Sequence, residues 1–344
     1  MPVALNETKA VPPRTSSSFS ADADAVRRLR LVLALAALAS LAVPAAALAH
    51  TSEAPVSDPL RSWSPEPTVL VASFLAIALF GGAYRRLRRR GRPDHAGWTH
   101  AGPFLLGILV LALALMSPLD ATGDEYLLSA HMLQHVLIGD LAPALLVFGA
   151  RGPLTLFLLP APILRRAAAI SWLRRTVAFL LRPKPAFFAW ALALAIWHVP
   201  AFYDAALTRP WLHELEHASF LFGGLLVWCQ LIDPARRGEL DLRGRILFAA
   251  ALIATAHLFI HPVLLSGRAV YGAYAAQPHR LLGLSPLSDQ HWAALVMSAE
   301  QIFTLGVFLL VSLRPRVARP FVGSAALVSM RGRRRSGPVP HHDT

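Results

Sequence analysis

Long apolar runs separated by short polar stretches dominate the chain. A membrane-spanning helix needs about 20 predominantly apolar residues, and seven segments meet or approach this length. They are residues 67–84, 101–117, 127–148, 186–200, 211–232, 246–265 and 290–313. The fourth segment is short for a complete crossing. The pattern therefore predicts an all-α, polytopic membrane helical bundle of about seven transmembrane helices.

An eighth apolar stretch, residues 29–49, precedes these seven segments. It follows three closely spaced arginines and ends in Ala47-Leu48-Ala49, a small-x-small pattern of the kind that signal peptidase cleaves. The long polar leader of residues 1–26 is equally compatible with an ordinary first membrane helix. The predicted organisation has three parts: a leader with a signal peptide or extra helix at 1–49, a seven-helix membrane domain at 50–320, and a disordered basic tail at 321–344.

The formal net charge of +13 is distributed unevenly among the loops. Basic residues crowd residues 85–92, 151–184, 236–245 and the tail beyond Arg314. The segment 118–126 holds three acidic residues and no lysine or arginine. By the positive-inside rule, the basic loops and the C-terminus face the cytoplasm of a multi-pass plasma-membrane protein. A nucleic-acid-binding chain would carry one continuous basic face with aromatics interleaved, so we expect the lipid bilayer as a partner and no nucleic acid.

Histidines recur at a spacing that places them on one helix face. Three pairs are four residues apart: His131/His135, His213/His217 and His257/His261. The charge-based topology puts all three pairs in the outer leaflet, together with His198 and His291. A single membrane histidine is often only an interhelical hydrogen-bonding group. Eight at one level instead predict a metal site, because imidazole binds copper, zinc and haem iron.

Copper is the preferred ion among several alternatives. It suits imidazole, and the thioethers of Met116, Met132 and Met297 at the same level suit its reduced form, although methionines also simply pack in cores. Haem held by two histidines is a competitor, but it uses two or four histidines rather than three spaced pairs. The stretch "HELEH" also matches the H-E-x-x-H pattern of zinc proteases, with Glu214 as general base. Glu214 and Glu216 are equally suited to the first turn of a helix.

Three further residues are candidates around this site. Cleavage after Ala49 would make His50 the first residue, and its amine and imidazole could then chelate copper. Asp120 and Asp289 are predicted to be carboxylates that orient an imidazole N–H. Capping of a helix N-terminus is the alternative role for both.

Several motifs resemble those of one family. They are "SPLD" (117–120), "HMLQHVLIGDLAPALLVFGA" (131–150), "WHVPAFYDAAL" (197–207), "LHELEHASFLFGGLLVW" (212–228) and "SDQHWAALVM" (288–297). Together they resemble the polytopic CtaG family of cytochrome c oxidase assembly factors, first associated with caa-type oxidases. The resemblance covers roughly residues 65–315.

The resemblance implies a function in respiratory chain biogenesis. It implies a non-enzymatic protein of the bacterial plasma membrane that helps to mature a haem-copper oxidase by binding and delivering copper at the outer face. Oxidase subunits and a soluble copper donor are the implied partners. The family's histidine pairs correspond to His131/His135 and His213/His217, and its Trp-His-x-Pro motif to residues 197–200. His291 stands where the family pattern has another residue, so its candidacy is specific to this chain.

Overall fold

The computed structural model describes residues 58–313. The predicted leader with His50 and the predicted C-terminal tail lie outside the described residues. Within 58–313 the secondary structure is helical, without a β-strand. The helices are α1 Pro67–Arg89, α2 Trp98–Met116, α3 Pro118–Glu125, α4 Leu128–Val136, α5 Ala142–Gly149, α6 Pro153–Phe157, α7 Ala161–Ala169, α8 Ser171–Leu180, α9 Pro183–Trp197, α10 Pro200–Thr208, α11 Pro210–Ile232, α12 Leu242–Leu265, α13 Gly272–Ala276 and α14 Pro286–Leu313. The compact unit of the described chain extends to Gly306, and residues 307–313 complete α14.

Six helical segments are long and apolar enough to cross a membrane. They are Pro67–Arg89, Pro93–Met116, Leu128–Gly149, Pro210–Ile232, Leu242–Leu265 and Pro286–Leu313. Helices α8 and α9 make a seventh span if they are taken together, although they are bent by 80°. The prediction of an all-α polytopic membrane bundle is confirmed.

The bend explains why the fourth apolar segment looks short in the sequence. Pro183 is the first residue of α9, and Arg182 before it has extended backbone angles (φ −80°, ψ 151°). The residue before a proline avoids the helical region, and proline lacks the N–H that would continue the preceding helix. The chain therefore breaks here, and α9 contributes only 15 helical residues.

Large apolar side chains cover the outer faces of the spans. Phe74, Phe188 and Leu258 are 75%, 66% and 69% exposed. Soluble proteins rarely expose contiguous apolar surface on this scale, whereas lipid tails accept it. The described helices thus present an apolar exterior to the bilayer.

A close crossing joins the span Leu128–Gly149 to α11. Residues Leu137–Leu141 form a π-helical turn between α4 and α5, and such turns often occur at functional sites. A Cβ on Gly224 would overlap the carbonyl oxygen of Gly139 and approach Pro143 Cγ to 2.8 Å. Only glycine permits this approach, which brings the histidine-bearing ends of α4 and α11 together.

The basic loops meet at one end of these helices. The Gly152 N–H donates to the Pro234 carbonyl at 2.6 Å, and the Arg237 guanidinium donates to the Leu181 carbonyl at 2.7 Å. These loops lie beyond the C-termini of α5, α8 and α11, whereas the paired histidines are near the N-termini of α4 and α11. Basic loops and histidine pairs therefore occupy opposite ends of the same spans.

Candidate metal centre

Two of the three histidine pairs converge on one point. His131 Nε2 lies 2.8 Å from His135 Nε2 within α4. The rings of His213 and His217 on α11 lie 5.2 Å from His131 and 5.3 Å from His135, respectively, between centroids. Nitrogens of His131, His135 and His217 are all within 4.8 Å of one another. We call these four residues the histidine cluster.

A second set of candidate ligands overlaps the first. Asp124, His131 and His213 also offer one ligand atom each within 4.8 Å of one another. His131 belongs to both sets. The side chains of Asp124 and His213 are 32% and 14% exposed, whereas those of His135 and His217 are buried. The two sets thus extend from a partly exposed rim to a buried interior.

Several buried polar atoms in the histidine cluster and on the carboxylates beside it have no hydrogen-bond partner. They are Nε2 of His213, Nε2 of His217, Oδ1 of Asp124 and both carboxylate oxygens of Glu216. An unsatisfied buried polar group costs about 1–3 kcal/mol, and such groups are few in native proteins. Their concentration at one point, with lone-pair donors of nitrogen and oxygen, fits a bound metal ion.

Two carboxylates lie beside the imidazoles. Asp124 Oδ1 is 3.4 Å from His213 Nε2, and Glu216 Oε1 is 3.6 Å from His135 Nε2. Burial, with smaller contributions from the neighbouring carboxylates of Glu125 and Glu214, raises the pKa of Asp124 to about 8. A cation bound here would offset the repulsion among these carboxylates and would favour their ionised form.

The spacing in "HELEH" contained a signal for Glu216 that the sequence reasoning missed. Glu216 is three residues after His213 and one before His217, so it shares their helix face. It is fully buried against the cluster, whereas Glu214 is one residue after His213 and is only partly buried. The alternative role for the two glutamates, a position in the first turn of the helix, is wrong, because α11 begins at Pro210 and has no acidic residue in its first turn.

Tyr274 fixes the protonation of His131. The Tyr274 hydroxyl donates its only hydrogen to the Gly123 carbonyl at 2.5 Å, so it must accept at its 2.9 Å contact with His131 Nδ1. His131 Nδ1 therefore carries the proton, and its Nε2 lone pair faces the cluster. Tyr203 packs its ring 5.4 Å from that of His131. Tyr203 on α10 lies within the motif "WHVPAFYDAAL" but was not singled out, and Tyr274 on the short helix α13 had no recognisable sequence signal.

Asp289 and Asp120 support α4 rather than an imidazole. Asp289 accepts from the backbone N–H groups of Leu128 at 2.7 Å and Ser129 at 3.1 Å, and from the Ser129 hydroxyl at 2.5 Å. It therefore caps the N-terminus of α4, although it belongs to α14. Asp120 accepts from Gln134 Nε2 at 2.6 Å. Both carboxylates hold the helix that carries His131 and His135.

His198 lies apart from the histidine cluster. Its Nδ1 contacts the Leu194 carbonyl at 2.8 Å, and its ring packs against Phe259. It lines a cavity that is also lined by His135 and Met132. Met132 is 3% exposed and packs in the apolar cluster that includes Tyr203.

The third histidine pair is not brought to the cluster. His257 and His261 contact each other on α12, with ring centroids 5.1 Å apart, and His257 Nδ1 contacts the Ile253 carbonyl at 3.0 Å. His291 Nε2 is 3.4 Å from the Ser266 carbonyl. Among residues 58–313, none of these three histidines belongs to a group of ligands that could share an ion.

Comparisons with known proteins agree with the sequence motifs. The family model described as cytochrome c oxidase caa3 assembly factor (Caa3_CtaG) matches residues 78–317. Uncharacterized proteins of Mycobacterium bovis and Mycobacterium tuberculosis are each 29% identical over 245 residues, covering 67% of this chain and 36% of the relative. The chain thus spans about a third of the length of these curated relatives. No solved structure matches the chain.

Proposed function

Since the chain belongs to the cytochrome c oxidase caa3 assembly factor family, we propose that its histidine cluster binds copper and delivers it to a haem-copper oxidase during assembly. The proposal rests above all on one observation. Nitrogens of His131, His135 and His217, from two helices, lie within 4.8 Å of one another. In this role copper is cargo, and the protein acts as an assembly factor rather than as an enzyme.

The chemistry of the ligands favours copper. Imidazole binds copper well, and copper heads the affinity order of the divalent first-row metals. Tyr274 holds the His131 Nε2 lone pair toward the cluster, as an outer hydrogen bond commonly does for a ligating histidine. Nearby Asp124 and Glu216 supply negative charge that a buried cation requires.

The two overlapping ligand sets suit capture followed by release. The rim set of Asp124, His131 and His213 is partly exposed, while His135 and His217 are buried. Because His131 belongs to both sets, an ion can move between them by exchanging ligands one at a time. Entry and exit at the rim would then need no opening of the bundle.

The alternatives fit the geometry less well. A haem needs a flat slot between its axial histidines, but the rings of the cluster contact one another at 4.2–6.1 Å between centroids. An intramembrane zinc protease would use the His213/His217 pair with Glu214 as base. That assignment gives no role to His131 and His135, which share the site.

We place the cluster at the outer face of a bacterial plasma membrane. The basic loops lie at the opposite end of the spans from the histidines, and basic loops remain in the cytoplasm. The C-terminus would then be cytoplasmic. Oxidase subunits and a soluble copper donor on the outer side are the proposed partners.

Paired substitutions test the proposal. His131→Ala/His135→Ala should abolish copper binding at the histidine cluster while membrane insertion persists. Oxidase activity in the host should fall and be partly restored by excess copper. His257→Ala/His261→Ala is the matched control, because it removes a pair at the same spacing outside the cluster.

Ligands of one ion act as a unit, so the His213→Ala/His217→Ala change should cost nearly as much as the quadruple change. Metal analysis of the wild-type protein identifies the ion, and zinc alone would favour the protease alternative. Full copper occupancy in either double variant of the cluster would refute the proposal.

A further inference from the structure

A cavity adjoins the histidine cluster at His135. It has a volume of about 80 Å³ and is lined by residues of α4, α9, α11, α12 and α14. This space would hold a few water molecules or one coordinated ion. His135 lines the cavity and also belongs to the cluster, so the two spaces share a wall made by one imidazole.

His198, which lines this cavity, has an unused ligand atom. A carbonyl oxygen can only accept, so the 2.8 Å contact with Leu194 requires the His198 proton to be on Nδ1. Nε2 of the neutral ring then carries a lone pair. That atom is buried and has no hydrogen-bond partner. Hydrogen bonding of Nδ1 to a backbone carbonyl with Nε2 free is the usual arrangement of a metal-ligating histidine.

Two thioethers line the same cavity. Met132 and Met297 are 3% and 7% exposed and contribute the soft sulfur atoms of an otherwise largely apolar and aromatic lining. Packing alone would explain one buried methionine. Two methionines that share the cavity lining with His198 offer, with its unpartnered imidazole nitrogen, a set of one nitrogen and two sulfurs. Such a set selects reduced copper over harder ions.

The cavity lining also contains two acidic side chains, Asp140 and Glu300, that share a hydrogen bond. Asp140 accepts hydrogen bonds from Trp228 Nε1 at 2.5 Å and from the Thr304 hydroxyl at 2.9 Å. Glu300 is hydrogen-bonded to Asp140. Its Oε1 and the buried Oε1 of Gln301, which also lines the cavity, have no hydrogen-bond partner. The described residues lining the cavity include no lysine or arginine. A carboxylate inside a bilayer is costly without a positive partner, which a bound cation would supply.

We infer that this cavity is a second copper site, which binds one Cu(I) ion through His198 Nε2 and the thioethers of Met132 and Met297. The inference rests on the proposed copper-binding function of the histidine cluster. His135 lets an ion pass between the two sites by ligand exchange, and Asp140 with Glu300 balances its charge. The protein would therefore hold copper at a rim site and an interior site.

Titration of the full-length protein with Cu(I), in detergent and against a competing Cu(I) chelator, tests this inference. The wild-type protein should bind two ions, and X-ray absorption should detect sulfur ligands. His198→Gln and Met297→Leu should each reduce the stoichiometry to one, and Met132→Leu/Met297→Leu should remove the sulfur signal. Met116→Leu, a methionine outside the cavity lining, should retain both ions.

Leucine and methionine have similar volumes, so the Met297→Leu variant should fold as the wild type does. Two ions in each cavity variant, or a wild-type protein that binds one ion without sulfur ligands, would overturn the interior site and leave the histidine cluster intact. A wild-type protein that binds no copper would overturn the proposed function as well. The His213→Ala/His217→Ala variant should still bind one ion, and that ion should have sulfur ligands. This result would support the interior site independently.

Discussion

Removal of a single hydroxyl should weaken copper binding without changing any proposed ligand. Tyr274→Phe deletes the oxygen that accepts from His131 Nδ1 at 2.9 Å and donates to the Gly123 carbonyl at 2.5 Å. His131 would then be free to change its tautomer and tilt, since the ring nitrogen that faces the cluster would no longer be specified.

The size of this effect follows from the role of such outer partners. Loss of a hydrogen bond that orients a metal-ligating histidine typically costs about 10–100-fold in metal affinity. At about 1.4 kcal/mol per factor of ten, this corresponds to about 1.4–2.8 kcal/mol of binding free energy. We expect the Cu(I) dissociation constant of Tyr274→Phe to rise by this factor, measured by competition with a chelator of known affinity.

Tyr203→Phe is the matched control for Tyr274→Phe. Tyr203 is equally buried, and its ring also packs against His131. Its hydroxyl lies 3.4 Å from that of Tyr274 rather than on an imidazole nitrogen, so copper affinity should fall by less than it does in Tyr274→Phe. Wild-type affinity in Tyr274→Phe, or equal losses in both variants, would refute the assigned protonation of His131.

Two other predictions concern stability and topology. Asp289→Ala should lower the free energy of unfolding by about 1–3 kcal/mol, because the buried N-terminal N–H groups of α4 lose their acceptor. Thermal unfolding in detergent measures this loss, and the control Asp289→Asn should destabilise the protein less. An unchanged unfolding midpoint in Asp289→Ala would contradict the capping role. A reporter fused after residue 185 should be active only in the cytoplasm, and one fused after residue 208 only outside. The reverse pattern would place the histidine cluster at the cytoplasmic face.

The membrane spans could be predicted because their signal is local. The apolar run from 211 to 232 in the sequence reappears as α11, Pro210–Ile232, and the run from 246 to 265 as α12, Leu242–Leu265. The start of α11 is fixed by a proline at its first position, which proline favours. The fourth span was harder to predict, since the 80° bend between α8 and α9 depends on how two short helices pack.

The candidate site was predictable only where its members share a helix. The spacing of His131/His135 and of His213/His217 aligned each pair, and the same rule applied to Glu216 would have added it. Asp124 and Tyr274 come from separate short helices, and no periodicity links them to the histidines. Their contribution depends on where α3 and α13 fold back onto the bundle.

By itself the sequence determined the membrane spans, the alignment of the two histidines within each pair, and the separation of the basic loops from the histidines. Each of these follows from a property of a short stretch of chain: the length needed to cross the bilayer, the geometry of the helix, and the charge of the loops. It could not decide which pairs meet, because equal spacing gives His257/His261 the same local signature as the other two. The tertiary structure decided this through contacts between distant segments. The glycine crossing of Gly139 and Gly224 draws α4 and α11 together, while α12 packs with its histidines elsewhere.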